Sequence, residues 1–382
     1  MGGTSYRNGT LDGLRGIAAV SVIFYHSILL DPRLASVLNP AQNLEPVDIP
    51  AKLALSIFSG ANAVLIFFVL SGLVLRVSAD RLHDGIWMDS ANFAIKRLCR
   101  LYPAIFFALA FCFLTSWVAI SLGSTLPHFI NATDLSKLTS NAIFLDAKVN
   151  GATWTLQTEV VAIPFLFAAF MVSRKLGLAG SLLCLCYGLY ALWHPSLVFN
   201  LTPLRGPFVA FMAGVVIADP RLSRPFFLVG GAWLSATVLA LVALKMFIPP
   251  APLEGYVLNV LLCTVLVGGC YRSAGTTGIV GMLNTAPALY LGKISYSLYL
   301  LNVPIIWVFI GLRPALGLMS IGPLWGGIAV GILVTLCTIP VAHFSEAVIE
   351  QGSIWIGRQL SIKPRRRIEP APAEMTLAAA PA

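Results

Sequence analysis

The chain has 382 residues, a formal net charge of +9, 58% hydrophobic and only 11% charged residues. A soluble domain carries about 25% charged residues, so this balance, with a mean hydropathy of +0.85, excludes one and points to a polytopic membrane protein. The basic residues collect at helix ends, which excludes a nucleic-acid-binding face, and the five histidines and seven cysteines show no metal-ligand spacing and imply no disulfide.

A spanning helix needs roughly 20 mostly apolar residues. Ten segments qualify, centred near Val20, Leu65, Cys112, Phe165, Leu185, Met212, Ala236, Leu262, Leu300 and Leu333. The sixth, over about 205–218, is short. The predicted class is all-α, a polytopic integral membrane protein of about ten transmembrane helices. With both termini cytoplasmic, most of the 25 Lys and Arg residues fall on inner segments, as the positive-inside rule demands. Residues 7–30 read as a retained helix rather than a signal peptide, because Arg15 interrupts the run and no small-residue cleavage site follows. Residues 1–350 form the transmembrane domain. Residues 351–382 form a basic and then Pro/Ala-rich cytoplasmic tail, expected to be disordered, whose KPRRR stretch is a topology signal or a contact for anionic headgroups.

The first helix reads LDGLRGIAAVSVIFYH. Eleven steps of about 100° place Arg15 and His26 on one face, about 16 Å apart along the axis. Ionisable residues inside a span face the protein interior or a water-filled cavity. Arg15 is otherwise a snorkelling anchor, and His26 an interhelical hydrogen-bonding group. Together they suggest an anion held near the inner surface and a base at depth.

In the second helix, FFVLSG brings Ser71 and Gly72 level with Arg15; Gly72 permits close backbone approach. KRLCRLYP follows, with Lys96, Arg97 and Arg100 on one face, Cys99 in a basic loop and Pro103 opening the third helix. Arg97 and Arg100 read as exposed, forming either an orientation signal or a phosphate site. WTLQTE opens the fourth helix at the outer side. Trp154 fits the interfacial aromatic belt, and Glu159 reaches a depth comparable with His26, where a carboxylate orients an imidazole or simply favours a helix N-terminus. GKISYSLYLLNVP makes the ninth helix the most polar, with Ser295, Tyr296, Ser297, Tyr299 and Asn302 facing a cavity or neighbouring helices. His83, His128, His194 and His343 fall in loops or near span ends.

These five fragments, in this order, resemble the integral-membrane acyltransferase family 3 over about residues 10–345. The resemblance implies O-acyl transfer, commonly acetylation of a sugar hydroxyl, with acetyl-CoA from the cytoplasm as co-substrate and no permanently bound cofactor. It also implies that His26 is the base and that Arg15 matches the family's arginine. One departure is Asn302, where the family segment often reads LYLLH-x-P.

The expected roles follow. His26 and Glu159 are catalytic; Arg15, Ser71, Arg97 and Arg100 bind the acyl-CoA donor; Trp154, Tyr299 and Asn302 bind the acceptor or the oxyanion; no metal is required. The expected partners are the lipid bilayer and a carbohydrate or glycolipid acceptor, with no nucleic acid, in a bacterial cytoplasmic (inner) membrane. The competing class is an exporter of a lipid-linked sugar, which predicts inverted repeats and broken helices in matching halves; no repeat is visible.

Overall fold

In the computed structural model, the residues described are 8–38, 45–80, 86–123, 134–223, 231–248, 253–273 and 277–362. All regular structure among them is helical. Ten principal helices follow one another: α1 Gly9–Ile28, α2 Gly60–Ala79, α3 Ile86–Ser121, α4 Thr153–Leu176, α5 Leu178–Trp193, α6 Pro207–Ile217, α7 Gly231–Phe247, α8 Leu253–Arg272, α9 Ala286–Leu312 and α10 Pro323–Phe344. Each expected centre lies on its helix.

Six apolar helical stretches are long enough to cross a bilayer by length and composition: Pro46–Ala79, Met88–Ser121, Thr153–Leu176, Leu253–Arg272, Ala286–Leu312 and Pro323–Leu360. The apolar helices around α5, α6 and α7 are shorter; α6, at 11 residues, spans only about 16 Å. Helix α1 is long enough but is not among the six, since Asp12, Arg15 and His26 lower its hydropathy.

Local chemistry sets the helix starts. The Asn8 side chain accepts from Leu11 N–H at the head of α1, and Ser59 accepts from Asn62 N–H at the head of α2; each satisfies a donor the helix leaves open. The bundle is organised around α1, which packs most extensively on α9 and then on α10 and α2. Glycines allow this. A Cβ on Gly16 would sit 2.6 Å from the Gly292 nitrogen of α9, so the two backbones touch. Helices α2 and α6 meet the same way: a Cβ on Gly72 would fall 2.1 Å from the Phe211 carbonyl oxygen. The expected close approach at Gly72 is therefore helix packing of the small-residue kind.

Two expected boundaries are corrected. Pro103 does not open the third helix but lies inside α3, which begins at Ile86. Cys99 is therefore helical, not in a loop. A proline interrupts only the bond to the carbonyl four residues earlier, and the apolar residues on both sides keep the helix continuous. At the other end, a π-helical turn, Ser345–Glu350, links α10 to a helix at Gln351–Leu360 that packs on α3. Asn92 ties down its end, donating to the Ile362 carbonyl at 3.0 Å and accepting from Ile362 N–H at 2.7 Å. Of the region assigned to the tail, residues 363–382 lie outside the described residues, as do His83 and His128.

The start of α4 is the feature that positions the site. Asn141, Asn150 and Thr153 are fully buried. Asn141 Nδ2 donates to Thr153 Oγ1 at 2.7 Å, and Asn141 Oδ1 accepts from Asn150 N–H at 3.0 Å. Asn150 Nδ2 then donates to the Leu300 carbonyl of α9 at 2.9 Å. That carbonyl is available because Pro304, four residues later, has no N–H to give it. Leu300 lies about 21 Å along α9 from its first residue, at 1.5 Å per residue, so α4 begins midway down the bundle and not at its outer rim.

Candidate active site

One cavity is walled by α1, α2, α3, α4 and α9. Its charged side chains are Arg15, Arg97, Arg100 and Glu159; Ser71, Tyr296 and Tyr299 are among its polar ones. Phe67, Phe68 and Leu101 contribute to an apolar remainder. Six of the nine expected site residues thus meet in one place.

Glu159 is held from two sides. Ser71 Oγ donates to its Oε1 at 2.9 Å, and Arg97 Nη2 stands 3.1 Å from its Oε2. That second contact is a charge contact rather than a hydrogen bond. Arg97 Nε and Nη2 accordingly remain buried N–H groups without a hydrogen-bond acceptor. Arg15 feels the charges of Arg97, Arg100, Asp12 and Glu159. Three guanidinium groups therefore share the cavity lining with Glu159, and Asp12 acts on Arg15 from outside that lining; buried charge of one sign requires an opposite partner.

Two expectations change here. The predicted Glu159–His26 pair is not formed among the described residues; Glu159 sits with Ser71 and Arg97. The reason is the deep start of α4, which carries Glu159 to the level of Arg15. Arg97 is not exposed but only 8% accessible, because α3 runs straight through KRLCRLYP and turns it inward, while Lys96 stays outside.

The remaining expected residues lie apart from the cavity lining. Trp154 is 38% exposed and meets Phe68 edge-on at 5.9 Å between ring centroids. Asn302 is fully buried one turn beyond Tyr299 on α9, and its side chain faces His26. Ser295, Tyr299 and Asn302 form a row along α9, so the row that lines the cavity continues to the imidazole.

The sequence reading missed the acids behind the cavity. In the π-helical turn, Glu346 and Glu350 are buried. Lys293 Nζ lies 3.3 Å from Glu346 Oε2, Gln351 Nε2 donates to Glu346 Oε1 at 2.8 Å, and Ser297 Oγ donates to Glu350. Glu350 also acts electrostatically on Arg100. Their four-residue spacing at the end of an apolar helix was the available signal.

A family model described as "Acyltransferase domain" matches residues 8–343. The match starts at the cap of α1 and ends at the last turn of α10, so it takes in every wall of the cavity together with His26 and Asn302. Comparison with curated proteins and with solved structures gives no match. The chain belongs to the acyltransferase-3 family.

Proposed function

We propose that the protein is a multi-pass O-acyltransferase of a bacterial cytoplasmic membrane. It crosses the membrane ten times with both termini inside. It moves an acyl group, most readily acetyl, from cytoplasmic acyl-CoA to a hydroxyl of an extracytoplasmic carbohydrate or glycolipid. The observation that carries this reading is the fork of Arg97, whose Nε and Nη2 have no hydrogen-bond acceptor, in a cavity wall shared with Arg15 and Arg100. Such a fork matches two oxygens of one phosphate, and the CoA moiety supplies phosphates to an arginine-lined wall.

Donor phosphates bind at Arg15, Arg97 and Arg100, with Glu159 and Ser71 holding Arg97 in place. The acyl arm follows the face of α1 from Arg15 toward His26. There the imidazole takes the proton of the acceptor hydroxyl as its oxygen attacks the thioester carbonyl. The intermediate collapses with cleavage of the C–S bond, and the imidazolium returns the proton to the departing sulfur. The oxyanion needs a donor. Of the three candidates, Trp154 is turned away and the Asn302 amide N–H groups bind backbone carbonyls. Tyr299 lines the cavity and is the remaining candidate, its hydroxyl having to turn from Thr155 to the oxyanion.

The test uses oriented proteoliposomes with acetyl-CoA only at the cytoplasmic face and a membrane-impermeant glycan only at the other. Acetylated glycan and released CoA are expected. Product formed only when both substrates share the cytoplasmic face would reject transfer across the bilayer. Failure to release CoA with any acceptor would reject acyl transfer.

A further inference from the structure

We propose that Asn302 is a positioning residue for His26: its Oδ1 accepts the imidazole Nδ1–H and fixes the tautomer in which Nε2 is the basic nitrogen. This inference rests on the proposed role of His26 as the base.

The argument begins with the amide. Asn302 is fully buried. Its Nδ2 donates to the Leu298 carbonyl at 3.1 Å and to the Tyr299 carbonyl at 2.5 Å. Carbonyl oxygens only accept, so the NH2 must point at them and chemistry fixes the amide orientation, O away from N. The oxygen is then the atom presented to the neighbouring helix, and the side chain it faces is His26.

Two atoms on these facing side chains are buried without a hydrogen-bond partner: Asn302 Oδ1 and His26 Nδ1. They complement each other only if Nδ1 carries the proton. With a lone pair on Nδ1, two acceptors would confront each other in a buried site, at a cost of about 1–3 kcal/mol for each unsatisfied group. The backbone contact at Gly16 and Gly292 holds α1 and α9 together, so neither helix can withdraw to relieve that clash. No charged group acts on His26 among the described residues; the titratable neighbour shown is Tyr25, its ring centroid 5.9 Å from the imidazole. The partner is therefore a neutral amide. It orients the ring as a carboxylate would, without a carboxylate's charge.

The experiment first reads the wild-type chain without mutation. Full-length protein with ¹⁵N-labelled histidine, in lipid nanodiscs, gives the ring-nitrogen shifts, and His26→Gln identifies the His26 signals by their loss. The Nδ1–H tautomer is expected above pH 7; a dominant Nε2–H tautomer overturns the proposal. Two variants follow. Asn302→Leu should mix the tautomers and lower kcat about tenfold or more, the equivalent of one lost hydrogen bond, with KM for acetyl-CoA unchanged. Asn302→Asp gives up the two N–H bonds to the Leu298 and Tyr299 carbonyls and should lower kcat, but in the activity that remains the acid limb of the pH–rate profile should move to higher pH, because a carboxylate favours the protonated ring. An unmoved acid limb in a folded Asp variant overturns the proposal. The two readings fail separately. If the wild type releases no CoA, acyl transfer falls while the tautomer signal stands; if CoA is released but the tautomer is wrong, only the role of Asn302 falls.

Discussion

The two ends of α1 solve opposite problems. The Arg15 end is crowded with charge: Arg15, Arg97 and Arg100 against Glu159, with Glu350 acting on Arg100 from behind. At the other end no charged group acts on His26 among the described residues, and its imidazole meets an amide. An arginine-rich wall suits an anion that arrives and leaves. A neutral setting suits a base that must lose and regain a proton within one turnover. One helix face joins them, and on the proposed reading this separation lets the arginine wall hold an anion without forcing the imidazole into its protonated form.

The comparison breaks first at His26. His26→Ala should lower transfer by about 10²–10⁴-fold while donor binding at the other end persists, measured by initial rates beside equilibrium CoA binding. A well-expressed variant keeping a tenth of the wild-type rate would show that the neutral end does not supply the base.

At the charged end, Glu159→Gln leaves Arg97 buried beside two other arginines. Removing one partner of a buried pair costs about 3–5 kcal/mol, and the cost here lies toward the lower value because Ser71 can still bond the amide. Thermal unfolding in detergent should reveal the loss, and added CoA should reverse part of it by binding the folded state. Equal stability with and without the carboxylate would mean that the three arginines do not depend on it.

A smaller effect is expected for Arg97→Lys, which keeps the charge and removes the fork. KM for acetyl-CoA should rise about tenfold, one lost charge-assisted bond, with kcat nearly unchanged. Because Arg97 is buried, salt should screen its contribution little. A KM ratio that collapses at high ionic strength would place the fork at the surface after all.

The smallest effect sharpens the neutral end. Asp31 lies five residues beyond His26 and caps a short helix, Pro32–Ser36. Arg33 Nε and Nη2 donate to its carboxylate at 3.0 and 2.9 Å. These bonds hold the Asp31 carboxyl below its usual range. A depressed carboxyl contributes stability above its unfolded pKa of about 3.9, lost as pH falls through the lower folded value. Asp31→Asn should therefore weaken the fold slightly at pH 7 and not at all near pH 2. It should leave the pH–rate profile in place; a displaced acid limb would show that this charge reaches His26.

Much of this was legible in the sequence, for reasons tied to particular residues. The 3.6-residue period places Arg15 and His26 on one face whatever surrounds them. Apolar runs with caps at Asn8 and Ser59 locate helices, and all ten centres coincide with one. The polar character of SYSLYLLN marks α9 as interior, and three of the four residues expected to bind the donor are arginines picked out by their charge and their place on a helix face. Depth was not legible. It depends on where a helix begins relative to the others, and a single long-range bond decides this for α4: Asn150 meets the Leu300 carbonyl left open by Pro304. A one-dimensional pattern contains both residues but not their encounter, so Glu159 was placed a membrane half away from its true partners.

The sequence by itself determined the class of molecule, its helices and which polar side chains stand in apolar surroundings, because composition and helical periodicity are local properties. Only the tertiary structure decided which of those side chains meet. The burial of Arg97, the pairing of Glu159 with Ser71 and Arg97, and the Asn302 oxygen turned to His26 all follow from how α3, α4 and α9 dock around α1. Docking is set by glycine contacts and by carbonyls that prolines leave open, and both act between residues far apart in the chain.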